Sequence, residues 1–241
     1  MENTLTLDGM KKIWSVMQDE RGKNPHAYRS YLATWCPTNY DVWTSLTRAS
    51  RYWGTDISDP NNPNHGRQIN VFEIGCGIGF GSFYWLAVDN NLQLTSIDGD
   101  DNVVSLKNMS FLKDIYPTNL RYEHIYSKDY EWEFDINRGQ YDIVTIDSSV
   151  DTIHEDLKLA EKMNPKLIWV MNTDTAGGGA TVHNAVASSL KDPDFNYEWG
   201  NNIIYKTDMY YPDKESPKTT GNRRVWTCNS ALLQRKPEAQ Q

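Results

Sequence analysis

Hydrophobic positions along the chain follow two regimes that meet near residue 69. Before that point, Asp8 to Glu20 places Met10, Ile13, Trp14 and Met17 at helical spacing with charged residues opposite, which predicts an amphipathic helix starting at Asp8. A second helix is expected after Thr38. The stretch TDISDPNNPNHGRQ, residues 55 to 68, has proline, asparagine and glycine punctuation and no period, and reads as a loop. From Ile69 onward short apolar runs alternate with helical spacings. Strands are predicted at Ile69–Ile74, Leu92–Ile97, Leu120–Ile125, Tyr141–Ile146 and Leu167–Met171. Helices are predicted between them: about Gly81–Val88, Asp101–Ile115 capped by Asp101, Asp151–Met163 capped by Asp151, and about Gly179–Leu190. Strand and helix in alternation imply an α/β, doubly wound, mostly parallel sheet covered on both faces. Tyr197–Lys206 and Arg224–Leu233 are both strand-like around a polar loop, so the seventh strand should close an antiparallel hairpin. The expected organisation is an N-terminal helical cap and linker over residues 1–68 and one α/β domain over 69–241.

The densest local signal is INVFEIGCGIGFG, Ile69 to Gly81, where an apolar run breaks into Gly75, Gly77, Gly79 and Gly81 at every second position. A backbone without Cβ atoms can turn sharply and lie against a nucleotide-sized ligand at a helix N-terminus. Glu73 puts a carboxylate at the end of that strand, where packing alone would not ask for one. In an open parallel sheet the ligand lies beyond the carboxyl ends of the strands, so polar residues there matter most. Asp98 ends the second strand, about 20 residues past the glycines, where a carboxylate can accept hydrogen bonds from both ribose hydroxyls. The plainer reading of Asp98 is a turn or capping aspartate. Asp129, just past the third strand, could meet an adenine amino group or sit in a solvated loop. Asp147 closes the fourth strand in YDIVTID and could act as a general base, orient an acceptor or help bind a metal. Asn172 and Asp174 follow the fifth strand and could reach the same cleft.

Composition adds boundaries. The 241 residues can bury a full core without metals or disulfides. Three cysteines, Cys36, Cys76 and Cys228, are too few for a disulfide frame or a zinc site, so a reducing cytoplasm is the expected compartment. A formal net charge of −8 opposes phosphate backbones, so nucleic acid is not expected as a partner. No apolar stretch is long enough to span a bilayer, and no signal-peptide pattern opens the chain, which predicts a soluble, unprocessed protein away from membranes. Nothing in the sequence fixes an oligomeric state. Tyr28, Tyr31, Trp35, Tyr40, Trp43, Tyr52 and Trp53 crowd the first segment, and core packing is the favoured reading over a substrate wall.

EIGCGIGFG followed by SIDGDD resembles the first two motifs of class I S-adenosylmethionine-dependent methyltransferases, and YDIVTIDSS and KLIWVMN resemble that family's fourth and fifth strands. The resemblance covers roughly residues 69 to 190 and implies a Rossmann-like transferase fold with S-adenosylmethionine as cofactor. It implies that the glycine loop wraps the methionine moiety, that Glu73 orients this region and that Asp98 holds the ribose. The residues expected around the cofactor are then Glu73, Gly75, Cys76, Gly77, Gly79, Asp98, Gly99, Asp129 and Asp147. Asp147, Asn172 and Asp174 are the candidates for catalysis, on an oxygen or nitrogen of a small polar molecule.

Catechol-type O-methyltransferases have a similar layout and hold Mg²⁺ with an acid at the fourth strand end and an acid-asparagine pair after the fifth. Here Met171 stands where the acid should be, and Val150 where a lysine is expected, so no metal is assigned. DSSV departs from the Asn- or Asp-Pro-Pro-aromatic stretch of amino-methylating DNA enzymes. IDSS also resembles the strand end of spermidine-synthase-like aminopropyltransferases, which leaves that activity, a nicotinamide oxidoreductase and a non-catalytic cofactor-binding module as alternatives. AGGGAT, residues 176 to 181, could receive an anionic group or simply let a loop flex. His183 lies nearer the expected cleft than His154.

Overall fold

A computed structural model describes residues 37–56, 58–77, 79–99, 103–132, 140–147, 151–173, 178–211 and 222–237. The expected helix over Asp8–Glu20, the aromatic residues Tyr28, Tyr31 and Trp35, and Asp101 and Asp174 lie outside these residues. The elements in chain order are α1 (Pro37–Arg51), β1 (Ile69–Ile74), α2 (Phe80–Val88), β2 (Leu92–Asp98), α3 (Val103–Ile115), β3 (Leu120–His124), β4 (Ile143–Ile146), α4 (Ile153–Met163), β5 (Leu167–Val170), α5 (Gly178–Ser189), β6 (Tyr197–Tyr211) and β7 (Asn222–Arg235). A single 3-10 turn, Ser127–Asp129, follows β3.

The seven strands form one sheet in the order β3-β2-β1-β4-β5-β7-β6. Neighbours from β3 to β5 pair parallel, and β7 runs antiparallel to both β5 and β6. Six strands therefore point one way and β7 opposes them. Strand order reverses between β1 and β4, which places the ligand crevice of such a sheet beyond Ile74 and Ile146.

The inner strands are apolar nearly throughout because both faces are covered. Val71, Leu92, Leu94, Ile143, Leu167 and Trp169 pack under α1, α2 and α3 with Trp43, Trp85, Met109 and Leu112. Phe72, Ile74, Ile97, Val144, Ile146, Ile168 and Val170 pack on the opposite face with Leu157, Ala160 and Met163 of α4 and Val182, Ala185 and Val186 of α5. Helix α2, FGSFYWLAV, is apolar all round, as a helix held between a sheet and a second helix must be. On α1, Trp43, Leu46, Thr47 and Ser50 are buried at helical spacing, so this part of the N-terminal region shares the core of the sheet. Trp43 is thus a core aromatic.

Element bounds differ from the sequence reading at three places. Tyr141 and Asp142 precede β4 instead of opening it, and the buried Asp142 carboxylate accepts hydrogen bonds from both Arg67 Nη atoms at 3.2 and 3.0 Å, Lys166 Nζ at 2.8 Å and the Asn70 N–H at 3.0 Å. Helix α4 starts at Ile153 with Thr152 at its N-cap, and the exposed Asp151 lies in the preceding turn and does not cap it. The terminal hairpin is longer than expected. β7 meets β5 only over Ala231–Gln234, so Ile203–Tyr211 and Asn222–Ser230 continue as a two-stranded arm past the carboxyl end of β5.

Candidate functional site

Positive φ values at Gly75 (76°), Gly77 (52°) and Gly79 (84°) turn the chain from β1 into α2. A Cβ at Gly79 would also come within 2.9 Å of Met109 Sδ, and one at Gly81 would collide with Glu73 Oε1. The Gly79 backbone therefore favours glycine, and the bare Cα of Gly81 leaves the space that the Glu73 carboxyl fills. The turn is anchored to β2 through Gly75 N–H and Cys76 N–H, which donate to the Ile97 carbonyl at 2.9 and 3.3 Å. Gly77 N–H donates to Asp98 Oδ2 at 2.6 Å. The Asp98 carboxylate thus stands at the mouth of the glycine turn and holds it in place.

Glu73 lies on β1 beneath this turn, 2% exposed. Its Oε2 accepts hydrogen bonds from Ser82 Oγ of α2 and, at 2.7 Å, from Ser96 Oγ of β2. Burial pushes its carboxyl up to about 7 against those two hydroxyls, and the charges of Asp147 and Asp98 push in the same direction as burial. Folded Glu73 keeps its proton to about pH 7 while an unfolded chain releases it near 4.5, so the native state binds more protons between those values. Its contribution to stability therefore falls as pH rises through that window, by about 3 kcal/mol. Urea denaturation of wild type and Glu73→Gln checks this. The variant should gain stability relative to wild type between pH 4.5 and about pH 8, and a constant difference would remove Glu73 as a buried titrating group.

Asp147 follows β4 directly, its N–H donating to the Ile74 carbonyl at 3.0 Å. Asn172, just past β5, has a left-handed backbone (φ 57°), a region where asparagine is among the better tolerated non-glycine residues. That turn brings its side-chain amide back across the end of β4, where Nδ2 donates to Asp147 Oδ1. The Asp147 side chain meets solvent on one side while strand ends crowd it on the other. That crowding raises its carboxyl to about 6, Asp98 adds to the rise, and Asn172 opposes it.

The structure thus brings Glu73, Gly75, Cys76, Gly77, Gly79, Asp98, Asp147 and Asn172 together around the crevice between β1 and β4. Cys76 is buried, and its thiol is pushed well above the usual range by burial first and then by Glu73 and Asp98, which keeps it in the protonated, packed form. Gly99 lies against the Tyr126 ring, where a Cβ would collide. Asp129 is exposed in the 3-10 turn farther along the rim. His154 is exposed on α4 and His183 half-buried on α5. Among the described residues no three His, Cys, Asp or Glu side chains converge as a metal site. No described helix is long and apolar enough to cross a membrane. Ser82 and Ser96 escaped the sequence reading. The one signal for Ser82 is a lone hydroxyl in an apolar helix, and Ser96 matters only once the register opposite Glu73 is known.

No family model matches the chain, and no curated protein matches it in sequence. Solved structures do resemble it. The O-methyltransferase TomG of Streptomyces achromogenes, in complex with S-adenosylmethionine, aligns at a TM-score of 0.55 with 13% identity over 95% of this chain and 90% of its own. An O-methyltransferase of Bacillus cereus, in complex with S-adenosylhomocysteine, aligns at 0.55 with 10% identity over 93% and 91%. A provisionally assigned RNA methyltransferase of Pyrococcus horikoshii aligns at 0.55 with 10% identity over 86% and 90%. The chain has the Rossmann-like fold of the class I methyltransferases.

Proposed function

We propose that the protein is an S-adenosylmethionine-dependent methyltransferase acting on an oxygen or nitrogen of a small polar molecule. The observation that carries this reading is the glycine turn at the β1/β4 switch point, held by Asp98 and flanked by Glu73 and Asp147. Three left-handed glycines leave a bare backbone cradle that side chains would fill, and the Asp98 and Asp147 carboxylates beside it suit a ligand with cationic ammonium and sulfonium groups. The residues present therefore fit S-adenosylmethionine. The sheet order supports it over a nicotinamide cofactor, whose doubly wound domain has the order 3-2-1-4-5-6 without an inserted antiparallel strand.

When bound, S-adenosylmethionine supplies a methyl group already activated on a sulfonium. The chain's task is then alignment of an acceptor and removal of its proton. Gly75, Cys76, Gly77 and Gly79 present the turn, Asp98 and Gly99 stand where the ribose is expected, and Asp129 is the candidate for the adenine amino group. Asp147, held by Asn172, is the proposed acceptor of the proton from the attacking oxygen or nitrogen. Asp174 is proposed to join them. The acidic balance of the chain favours a small polar acceptor over a polyanion.

Calorimetry with S-adenosylmethionine and with NAD tests the cofactor, and absence of heat with the former overturns the reading. Asp98→Ala is expected to weaken S-adenosylmethionine binding by about 1.5 to 3 kcal/mol, the worth of hydrogen bonds to a charged group. The loss combines the ribose contacts with the loosened Gly77 turn. Unchanged affinity would show that Asp98 serves the fold alone. A methyl-transfer screen over hydroxylated, aminated and carboxylated metabolites, with RNA included and with and without Mg²⁺, tests the acceptor class.

A further inference from the structure

Across the sheet, Ser96 of β2, Glu73 of β1, Thr145 of β4 and Trp169 of β5 stand in register as one row. The first three are polar and fully or almost fully buried. Both serine hydroxyls converge on Glu73 Oε2, their own oxygens 3.3 Å apart, so a single carboxylate oxygen ties β1 and β2 to the first turn of α2. Oε1 lies on the side of Gly81, where only the missing Cβ leaves room for it. On the other flank, the buried Thr145 hydroxyl makes no hydrogen bond among the described residues. Among the described residues the hydroxyl donors to Glu73 are Ser82 and Ser96.

We propose that Ser82 and Ser96 are positioning residues that hold Glu73 as a carboxylate, and that this charge makes the crevice prefer a cationic sulfonium donor over its neutral thioether product. The second part rests on the reading of the crevice as an S-adenosylmethionine site. A carboxylate in apolar surroundings takes up a proton unless donors stabilise its charge. The groups facing Glu73 are Asp98 from the end of β2, Asp147 from the end of β4 and the Cys76 thiol from the glycine turn. The two aspartates drive a proton onto Glu73, and the two serines oppose them. Methyl transfer removes one positive charge from the cofactor and leaves the rest of it unaltered. A charged Glu73 thus attracts the donor more than the product, whereas a protonated one treats them alike, which favours exchange of spent for fresh cofactor.

Two measurements test this. Without ligand, the pH at which Glu73 titrates is read from the unfolding stability of each form relative to its Glu73→Gln counterpart. Ser96→Ala and Ser82→Ala should each move that midpoint upward by about one to two pH units, the worth of a hydrogen bond to a charged group. Thr145→Val should leave it in place. Midpoints unmoved in the serine variants overturn their role. With ligand, calorimetric Kd values for S-adenosylmethionine and S-adenosylhomocysteine are compared from about pH 6 to about pH 9, and the preference for the donor should rise through the Glu73 midpoint. S-adenosylmethionine bound with a pH-independent preference overturns the discrimination and leaves the cofactor reading standing. No binding at any pH overturns that reading and the discrimination with it. Should one serine variant fail to fold, the other decides the role of the hydroxyls, and the wild-type preference across pH decides the discrimination.

Discussion

Alanine in place of Trp169 is expected to lower the unfolding free energy by about 3 to 5 kcal/mol, a large share of the roughly 5 to 15 kcal/mol that holds a domain folded. Trp169 is fully buried in the centre of β5, where its ring meets Trp43 of α1 edge-on with centroids 4.6 Å apart and lies 6.2 Å from Trp85 of α2. Its Nε1–H donates to Ser230 Oγ at 2.7 Å, and that hydroxyl in turn donates to the Ile203 carbonyl. One side chain thus joins two helices and the terminal hairpin to the middle of the sheet. Truncation leaves a cavity walled by two other tryptophans, which cannot collapse far to fill it. Trp169→Phe keeps one ring in place and loses the N–H and the rest of the indole, so its cost should be smaller than that of alanine. Urea denaturation measures both. A loss below about 1 kcal/mol for the alanine variant would mean that α1 is not seated on this ring.

Removing the Asp147 carboxylate should act on rate. In Asp147→Ala we expect turnover to fall by about 100-fold or more, the range of general-base contributions, while the Kd for S-adenosylmethionine changes by a few-fold. Its carboxyl is raised to about 6, and a base works only when ionised, so the wild-type rate should climb as pH rises through that value and the variant should lack this limb. Asn172→Ala removes the amide that opposes the rise, so the limb should move to higher pH. Single-turnover rates beside calorimetric Kd values separate the two effects. Undiminished turnover in Asp147→Ala would remove Asp147 from the mechanism.

The α/β alternation was legible because strands buried on both faces are written as unbroken apolar runs, as in IVTI and LIWV, and because the glycine run has no competing use. Asp98 and Asp147 could be found as acids at strand ends for the same reason. What stayed hidden depends on register, which sequence spacing does not carry. Ser96 looks like any strand serine until β2 is set beside β1 and places it opposite Glu73. Asp142 looks like a strand residue until Arg67 and Lys166 arrive from either side in space. The left-handed turn at Asn172 left no mark beyond the asparagine itself. Sequence reading proposed Asp98 for a ligand, and what the structure shows of this carboxylate is the bond it accepts from the Gly77 N–H.

The insertion of β7 between β5 and β6 has a consequence for biosynthesis. During synthesis the sheet can grow from β1 to β5 in order, but the partner of Leu167–Val170 emerges from the ribosome only with Ala231–Gln234. Until then LIWV is an apolar strand with a bare hydrogen-bonding edge, the kind of surface that recruits other nascent chains. The hairpin that closes the fold is therefore also what withdraws this edge from aggregation. A chain interrupted after β6 would be a target for chaperones and proteases, even with the entire glycine crevice already made.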